Sequence, residues 1–299
     1  MASTEPRRGV FGWPVAFRGS AAVQAGLLAQ RDLRAPRFRR VHPDVYVRAA
    51  DEFGPELTAL AAAALVEGRG VVCGYSAATL LGADCTPSGA PAEITLTGRA
   101  DGRGGIRAHP GLVVHSDATA PREVTQVADA LVTTALRTAY DIGRWITDVT
   151  EAVVAMDALA RVGPFDPAQV LELSERYPRA RGRSRLPRVV ALADPRSGSP
   201  MQSRLRLLLV LAGLPAPQVR PAVSDPAGGG AIRLDLAYPE RRIGIEYSDL
   251  GRADRVLRDA GRLVSLVDDG WRIVRVTRHD LWVPERVVDT VRHALAMAR

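Results

Sequence analysis

The chain has 299 residues, of which 46% are hydrophobic and 5% aromatic, a composition typical of a folded protein with more than one domain. Its formal net charge is +7, and all 40 basic residues are arginines. This charge favours a polyanionic partner such as nucleic acid. The sequence contains no apolar run of membrane-spanning length and no signal-peptide pattern at its start, so we expect a cytoplasmic protein without a membrane partner.

The two cysteines, Cys73 and Cys85, lie in apolar or turn-like surroundings. Neither has another cysteine or a histidine at the spacing that zinc sites use. We therefore expect buried free thiols, with neither a disulfide nor a zinc site.

The first 50 residues predict a small winged-helix-like module. Residues 19–49 read as a short helix, a turn and a strand-like run, DVYVRA. The turn carries a basic cluster around one aromatic residue, consisting of Arg34, Arg37, Phe38, Arg39 and Arg40. We predict that Arg37, Arg39 and Arg40 contact nucleic-acid phosphates. The alternative is a solvated surface over a core phenylalanine.

Residues 51–178 predict a middle α/β domain. Residues 56–83 have the alanine and leucine spacing of two helices broken at Gly68 and Gly70. Two strand candidates follow, AEITLTG and GLVVHS, and the pattern from residue 127 to residue 162 is helical. The domain shows no catalytic constellation, and its His115 is expected to be a satisfied structural residue.

Residues 179–198 predict an arginine-rich linker. The run RARGRSRLPR, residues 179–188, combines five arginines with glycine and proline, which is typical of a flexible domain boundary. We predict that Arg181, Arg183 and Arg185 bind nucleic acid. A merely solvated surface is the alternative.

Residues 199–299 have the element order α-β-β-β-α-β-α. A hairpin centred on Glu240 and Arg241 would place Asp235 opposite Glu246. Alternation then places one set of apolar side chains on the face away from these carboxylates. This set comprises Ile232, Leu234, Leu236, Ile243, Ile245 and Tyr247.

Two carboxylates directly opposite each other repel, so a compensating group is expected. Mg²⁺ would serve, since it binds one or two carboxylates together with water and phosphate oxygens. The alternative is that Arg233 neutralises the pair. If Asp235 and Glu246 face each other, replacing Asp235 with asparagine should cost no stability in the absence of metal.

The strings SPMQSRLRLLLVLAGLPAPQV, RLDLAYPERRIGIEYSD and LRDAGRLVSLVDDGWRIVRV resemble the restriction-endonuclease-like PD-(D/E)xK superfamily. Within it, the similarity is greatest to actinobacterial proteins related to very-short-patch-repair (Vsr) endonucleases, over residues 199–298. The strings RFRRVHPDVYV and GYSAATLLGA are similar, more loosely, to the N-terminal region of AbiEi-type antitoxins of abortive-infection systems.

The resemblance implies a restriction-endonuclease-like domain with Asp235 and Glu246 as Mg²⁺ ligands and Gln202, Ser248 and Asp249 as the remaining candidate catalytic residues. The family pattern has a glutamate where this chain has Gln202, and Asp-Gly where it has Ser248-Asp249. The superfamily lysine also falls at Ser248, and the chain has no lysine to replace it. The catalytic set is therefore incomplete.

After these residues, Arg255, Arg258 and Arg262 recur at helical spacing and are candidate phosphate contacts. The alternative is that they form the solvent-exposed face of a helix.

The sequence leaves three functional hypotheses. The first is a DNA-binding protein with a degenerate Vsr-like domain. The second is an active Mg²⁺-dependent endonuclease. The third is an antitoxin-like transcriptional regulator with a toxin-like protein partner, which only the resemblance suggests.

Overall fold

The computed structural model describes residues 14–96, 106–226, 228, 230–248 and 263–298. The protein is a mixed α/β protein, as the sequence predicts. It divides into two compact units, Met1–Ala191 and Leu192–Arg299. The division lies inside the predicted linker, whereas the predicted boundary at residue 50 falls within the first unit.

The first unit begins with a three-stranded antiparallel sheet in the order β1-β3-β2. Its strands are β1 (Ala16–Arg18), β2 (Phe38–His42) and β3 (Val45–Arg48), and helix α1 (Gly19–Gln24) follows β1. Helix α2 (Pro55–Val66) packs against this sheet through Leu57 and Ala61. The same apolar cluster includes Val72 and Ile94 of the next sheet. The predicted N-terminal module and middle domain therefore share one core.

The second sheet has five strands in the order β6-β5-β4-β8-β7. These are β4 (Gly70–Val72), β5 (Ala92–Leu96), β6 (Leu112–His115), β7 (Val124–Val127) and β8 (Ala130–Thr133). Helices α2 and α3 (Gly74–Leu80) flank β4, so the two helices predicted on either side of Gly68 and Gly70 are observed. The prediction that residues 127–133 are helical is wrong. They contribute to a β-hairpin, because Ala128 has a φ of 49° and turns the chain between valine- and threonine-rich strands.

Four helices complete the first unit: α4 (Ala135–Trp145), α5 (Val149–Val162), α6 (Gln169–Glu175) and α7 (Leu186–Leu192). Thr134 and Asp148 cap α4 and α5 by accepting hydrogen bonds from main-chain N–H groups in the first turn of each helix. Residues 183–192, which lie in the predicted flexible linker, are helical. They are ordered because Leu186 and Val189 are buried.

The second unit contains helix α8 (Pro200–Leu211) and a four-stranded sheet in the order β14-β13-β12-β9. The sheet strands are β9 (Gln218–Val219), β12 (Leu236–Tyr238), β13 (Ile243–Ser248) and β14 (Arg272–Thr277). A separate hairpin joins β10 (Ala222–Ser224) to β11 (Ala231–Arg233). Residues 263–268 form helix α9, and α10 (Pro284–Met297) ends the unit.

Apolar side chains cover both faces of this sheet. Leu205 of α8 and Val291 of α10 belong to one cluster with Ile245 and Val274. The opposite cluster contains Leu234, Ala237, Leu266 and Trp271. The sheet is thus the middle layer of the unit, and polar groups gather where its strands end.

The predicted hairpin register is confirmed, since Leu236 pairs with Ile245 and Tyr238 with Ile243. The prediction that residues 232–238 form one strand is wrong. Asp235 lies in a bend between β11 and β12, so Leu234 and Leu236 pack into opposite clusters rather than sharing a face. This break sets the position of the Asp235 carboxylate.

Candidate functional site

Asp235 and Glu246 meet where β12 begins and β13 ends. The main-chain N–H of Asp235 donates a hydrogen bond to Glu246 Oε1 at 2.9 Å, and the N–H of Tyr247 donates to Asp235 Oδ2 at 2.9 Å. Each carboxylate therefore accepts a hydrogen bond from the main chain of the other strand. The structure places the two residues together, as the hairpin register predicts.

Gln202 joins the two carboxylates from the first turn of α8. Ser199 caps this helix by accepting a hydrogen bond from the Gln202 N–H at 3.2 Å. The Gln202 Nε2 donates to Asp235 Oδ1, and its Oε1 accepts from the Gly198 N–H at 2.5 Å. Both oxygens of Asp235 thus face N–H donors. An ionised glutamate at position 202 could not donate in this way.

Ser248 ends β13 on the same side of the strand as Glu246, in register with Thr277 of β14. Asp249, the fifth candidate catalytic residue, lies outside the residues that the structure describes. Among those it does describe, no group of three or more His, Cys, Asp or Glu side chains could hold a metal ion. Within the described part of the chain, Asp235 and Glu246 are the candidate ligands.

This donor set does not fit Mg²⁺. The ion prefers six oxygen ligands at about 2.0–2.1 Å, and a carboxylate whose two oxygens already receive N–H donors is poorly placed to add one. Arg233, the predicted alternative partner, is exposed at the end of β11 and forms no ion pair with a described residue. The main-chain amides and Gln202 take the compensating role instead.

The predicted N-terminal contacts lie on the β2–β3 hairpin. Arg37, Arg39 and Arg40 are all exposed. The Arg37 guanidinium lies 5.2 Å from the centre of the Phe38 ring, and that of Arg39 lies 4.6 Å from the ring of Phe53, which is itself 53% exposed. The hairpin thus presents cations to solvent, and the exposed ring of Phe53 lies beside one of them, a combination suited to phosphates and bases. Phe38 is half-buried and packs against Phe17, as the alternative of a core phenylalanine predicts.

The arginines of residues 179–188 differ in their surroundings. Arg183 Nε donates to Ser174 Oγ at 3.4 Å, and Arg185 Nη1 donates to the carbonyl of Arg144 at 2.9 Å. Arg181 accepts a hydrogen bond from Arg144 through its own carbonyl, and its side chain is exposed. Two of the three predicted contacts therefore hold the chain against the helical part of the first unit. The other predicted set, Arg255, Arg258 and Arg262, lies outside the described residues.

A buried charge network in the first unit was missed by the sequence analysis. Arg137 of α4 contacts Glu123 at 2.5 Å and Asp141 at 2.9 Å, and Asp141 contacts Arg144 at 2.8 Å. Burial alone would lower the pKa of Arg137, but Asp141 and Glu123 more than offset it and raise that pKa. Burial and Glu123 raise the pKa of Tyr177, whose hydroxyl donates to Glu123, to about 12. The spacing of Arg137, Asp141 and Arg144 along α4 is the signal that could have revealed the network.

His115 has a structural role, as the sequence predicts, because one of its ring nitrogens and its ring face both have partners within the first unit. Its Nε2 lies 3.0 Å from Glu93 Oε2, and its ring stacks on Trp145 with 3.6 Å between ring centroids. Glu93 also accepts a hydrogen bond from the Tyr75 N–H at 3.1 Å. Cys73 and Cys85 are buried free thiols, as predicted, and burial raises the pKa of Cys73.

Comparison with known proteins finds two similar sequences, both from Mycobacterium tuberculosis. They are the uncharacterized protein MT2308 of strain CDC 1551 / Oshkosh and the uncharacterized protein Rv2248 of strain ATCC 25618 / H37Rv. Each is 29% identical over 183 residues, which cover 59% of this chain and 66% of the relative. No protein-family model and no solved structure matches the chain. Within the described residues, no helix has both the length and the apolar character needed to cross a bilayer.

Proposed function

We propose that the protein binds nucleic acid, with duplex DNA as the partner, and that its second unit is a nuclease-like domain that binds without cleaving. The observation that carries the proposal is the Asp235 carboxylate, whose two oxygens accept from Gln202 and from the Tyr247 main chain. A carboxylate held in this way serves as a structural acceptor.

Metal-assisted hydrolysis needs a fixed ion and a group that orients or deprotonates the attacking water. Gln202 is neutral and adds no negative charge to a metal site. Ser248 stands where the superfamily has its lysine, and the chain contains no lysine. Both requirements are thus unmet among the described residues. Binding needs neither, because it rests on arginine charge.

The binding half of the proposal is supported by charge and exposure. The chain carries a net charge of +7, and Arg37, Arg39 and Arg40 are exposed on one hairpin beside Phe38 and Phe53. Phosphate neutralisation by such side chains releases counterions and favours association. The two relatives carry no functional description in their names, so they do not bear on this proposal.

The test combines binding and cleavage on purified protein with duplex and single-stranded DNA, in Mg²⁺, in Mn²⁺ and in chelator. We expect binding in all three conditions and no cleavage by the natural sequence. The double variant Gln202→Glu/Ser248→Asp should bind metal more tightly and gain weak metal-dependent nicking, because it restores carboxylate ligands. Adding Asp235→Ala should abolish that nicking.

The matched control is Gln218→Glu/Ser224→Asp, which makes the same two changes at exposed strand positions of the second unit. It should gain neither metal affinity nor nicking. Robust metal-dependent cleavage by the natural sequence, lost on Asp235→Ala, would contradict the proposal and favour an active endonuclease.

A further inference from the structure

An open apolar groove of about 810 Å³ runs along helix α2 in the first unit. Small-molecule sites have volumes of about 300–1,000 Å³. Residues 59–66 of α2 are all alanine, leucine or valine. Leu57 and Ala61 are buried in the core, whereas Leu60, Ala63 and Ala64 lie on another side of the helix, are half-buried and line the groove. This side of α2 is therefore an apolar surface that solvent still reaches.

The other walls of the groove are also mainly aliphatic. Leu27, which follows α1, and Leu131 of β8 line it and are 57% and 49% exposed. Among the lining residues that the structure describes, Thr79 has the one uncharged polar side chain. A sugar or a nucleobase would lose hydrogen bonds to water here without replacing them. The walls therefore favour an aliphatic chain.

Two carboxylates mark one end of the groove. Glu67 follows α2 and precedes β4, and Asp129 immediately precedes β8. Strands β4 and β8 are parallel neighbours in which Val72 pairs with Val132, so both acidic residues lie at the edge of the sheet where these strands begin. Glu56, at the start of α2, lines the groove 11 residues earlier, which is about 16 Å away along the helix.

The charge of the groove is opposite in sign to that of the whole chain. Its charged lining residues are three carboxylates and one arginine, Arg18, in a protein of net charge +7. Arg18 Nε already lies 3.5 Å from Asp44 Oδ2. Glu67 and Asp129 are exposed, and neither forms an ion pair with a residue that the structure describes. These two carboxylates are free to attract a cation.

We propose that the groove binds a small amphipathic cation. Its aliphatic chain would lie along Leu60, Ala63 and Ala64, and its positive group would lie beside Glu67 and Asp129. Burying the chain is favourable in proportion to the apolar area removed from water. The carboxylates then select the sign of the head group. This site is separate from the Asp235–Glu246 pair, so the inference goes beyond the proposed function and does not depend on DNA binding.

Isothermal titration calorimetry of the full chain with decyltrimethylammonium and with decanoate, both below their micelle concentrations, tests the selection of charge. The two probes share an aliphatic chain and differ in the sign of the head group. We expect the cation to bind at least about 5-fold more tightly. The net charge of +7 alone predicts the reverse order, so the order of affinities reports on the groove. Hexyltrimethylammonium should bind about 10-fold more weakly or worse, because it buries fewer methylene groups.

The double variant Glu67→Gln/Asp129→Asn should weaken binding of decyltrimethylammonium by about 5-fold and should not weaken that of decanoate. The matched control is Glu172→Gln/Glu175→Gln, which removes the same charge from exposed positions of α6. It should change the affinity for the cation by less than about 2-fold.

The aliphatic wall is tested by Leu131→Ser, which should weaken binding of the cation by about 3-fold. Its control is Leu211→Ser, at a position of the second unit that is 43% exposed, and it should leave the affinity unchanged. An unchanged midpoint of thermal unfolding for each variant ensures that a loss of affinity reports on the groove.

Three outcomes would overturn the inference and leave the proposed function standing. The first is that decanoate binds as tightly as decyltrimethylammonium, or more tightly. The second is that the groove variants and their controls lose affinity equally. The third is that the cation binds only after Val10→Ser/Phe11→Ser, two changes outside the described residues, which would assign the groove to the chain itself.

Discussion

The Asp235 carboxylate and main chain form hydrogen bonds with other residues of the same chain. Its carboxylate accepts from the Tyr247 N–H and from Gln202, and its main-chain N–H donates to Glu246. These contacts tie the break between β11 and β12 to the end of β13 and to the first turn of α8. A partly buried acceptor with two donors is costly to replace, because each donor then loses its partner.

We therefore expect Asp235→Asn to lower the free energy of unfolding by about 1–3 kcal/mol, since the new NH₂ group faces an N–H donor. This reverses the expectation from the sequence, in which two opposed carboxylates should tolerate the change. Urea unfolding followed by far-UV circular dichroism measures the effect. Asp289→Asn, at an exposed position on α10, is the control and should change stability by less than about 0.5 kcal/mol.

At the scale of an element, α4 combines two buried arginines with one buried aspartate. Arg137 and Arg144 are 1% and 2% exposed, and Asp141 lies between them at 1%. Asp117 and Glu123 supply the other carboxylates, with contacts of 2.5 Å to Arg144 and Arg137. Nine of the eleven residues of α4 are buried, so these three charges lie inside the first unit and are paired with one another and with Asp117 and Glu123.

Removing one member of this network should be strongly destabilising. Asp141→Asn leaves two buried guanidiniums short of a negative partner, and we expect a loss of about 3–5 kcal/mol in unfolding free energy. Thermal and urea unfolding of the full chain give the measurement. Glu172→Gln, which removes an exposed charge from α6, should leave stability within about 0.5 kcal/mol of the natural protein. Similar stability of the two variants would contradict a structural role for the network.

The elements that could be predicted are those that a periodic apolar pattern specifies. The β12–β13 register follows from alternation in the hairpin together with a four-residue loop, residues 239–242, whose last residue has a φ of 49°. Helix α8 follows from its proline at the first position and its leucine spacing. In these cases local sequence and tertiary packing favour the same structure.

The elements that could not be predicted depend on contacts between distant residues. The bend at Asp235 is held by Gln202 and Tyr247, and alternation alone predicts a continuous strand there. The helical structure of residues 183–192 depends on burial of Leu186 and Val189, while their composition is that of a linker. The hydrogen bond from Tyr177 to Glu123 beside α4 likewise joins two residues that are 54 positions apart in the sequence.

At the scale of the whole molecule, the net charge of +7 means that the proposed DNA binding should weaken as the salt concentration rises. The triple variant Arg37→Ser/Arg39→Ser/Arg40→Ser should reduce the salt slope by up to roughly 2.7, because each lost contact contributes roughly 0.9.

The matched triple variant changes Arg181, Arg183 and Arg185 to serine. It should reduce the slope less, since Arg183 is half-buried and donates to Ser174 and Arg185 donates to the carbonyl of Arg144, whereas all three arginines of the first variant are exposed. Fluorescence anisotropy across several salt concentrations gives both slopes. A larger reduction in the second variant would contradict the assignment of binding to the N-terminal hairpin.

The mutual capping of Asp235 and Glu246 has an evolutionary consequence. A lineage that loses DNA cleavage still experiences selection on both carboxylates, because replacing either leaves a main-chain amide without its acceptor. Retention of the pair in such a lineage then reports on folding. Position 248, which takes no part in this mutual capping, and position 202, where a glutamate could not donate to Asp235, are the ones whose identity should distinguish a cutting relative from a non-cutting one.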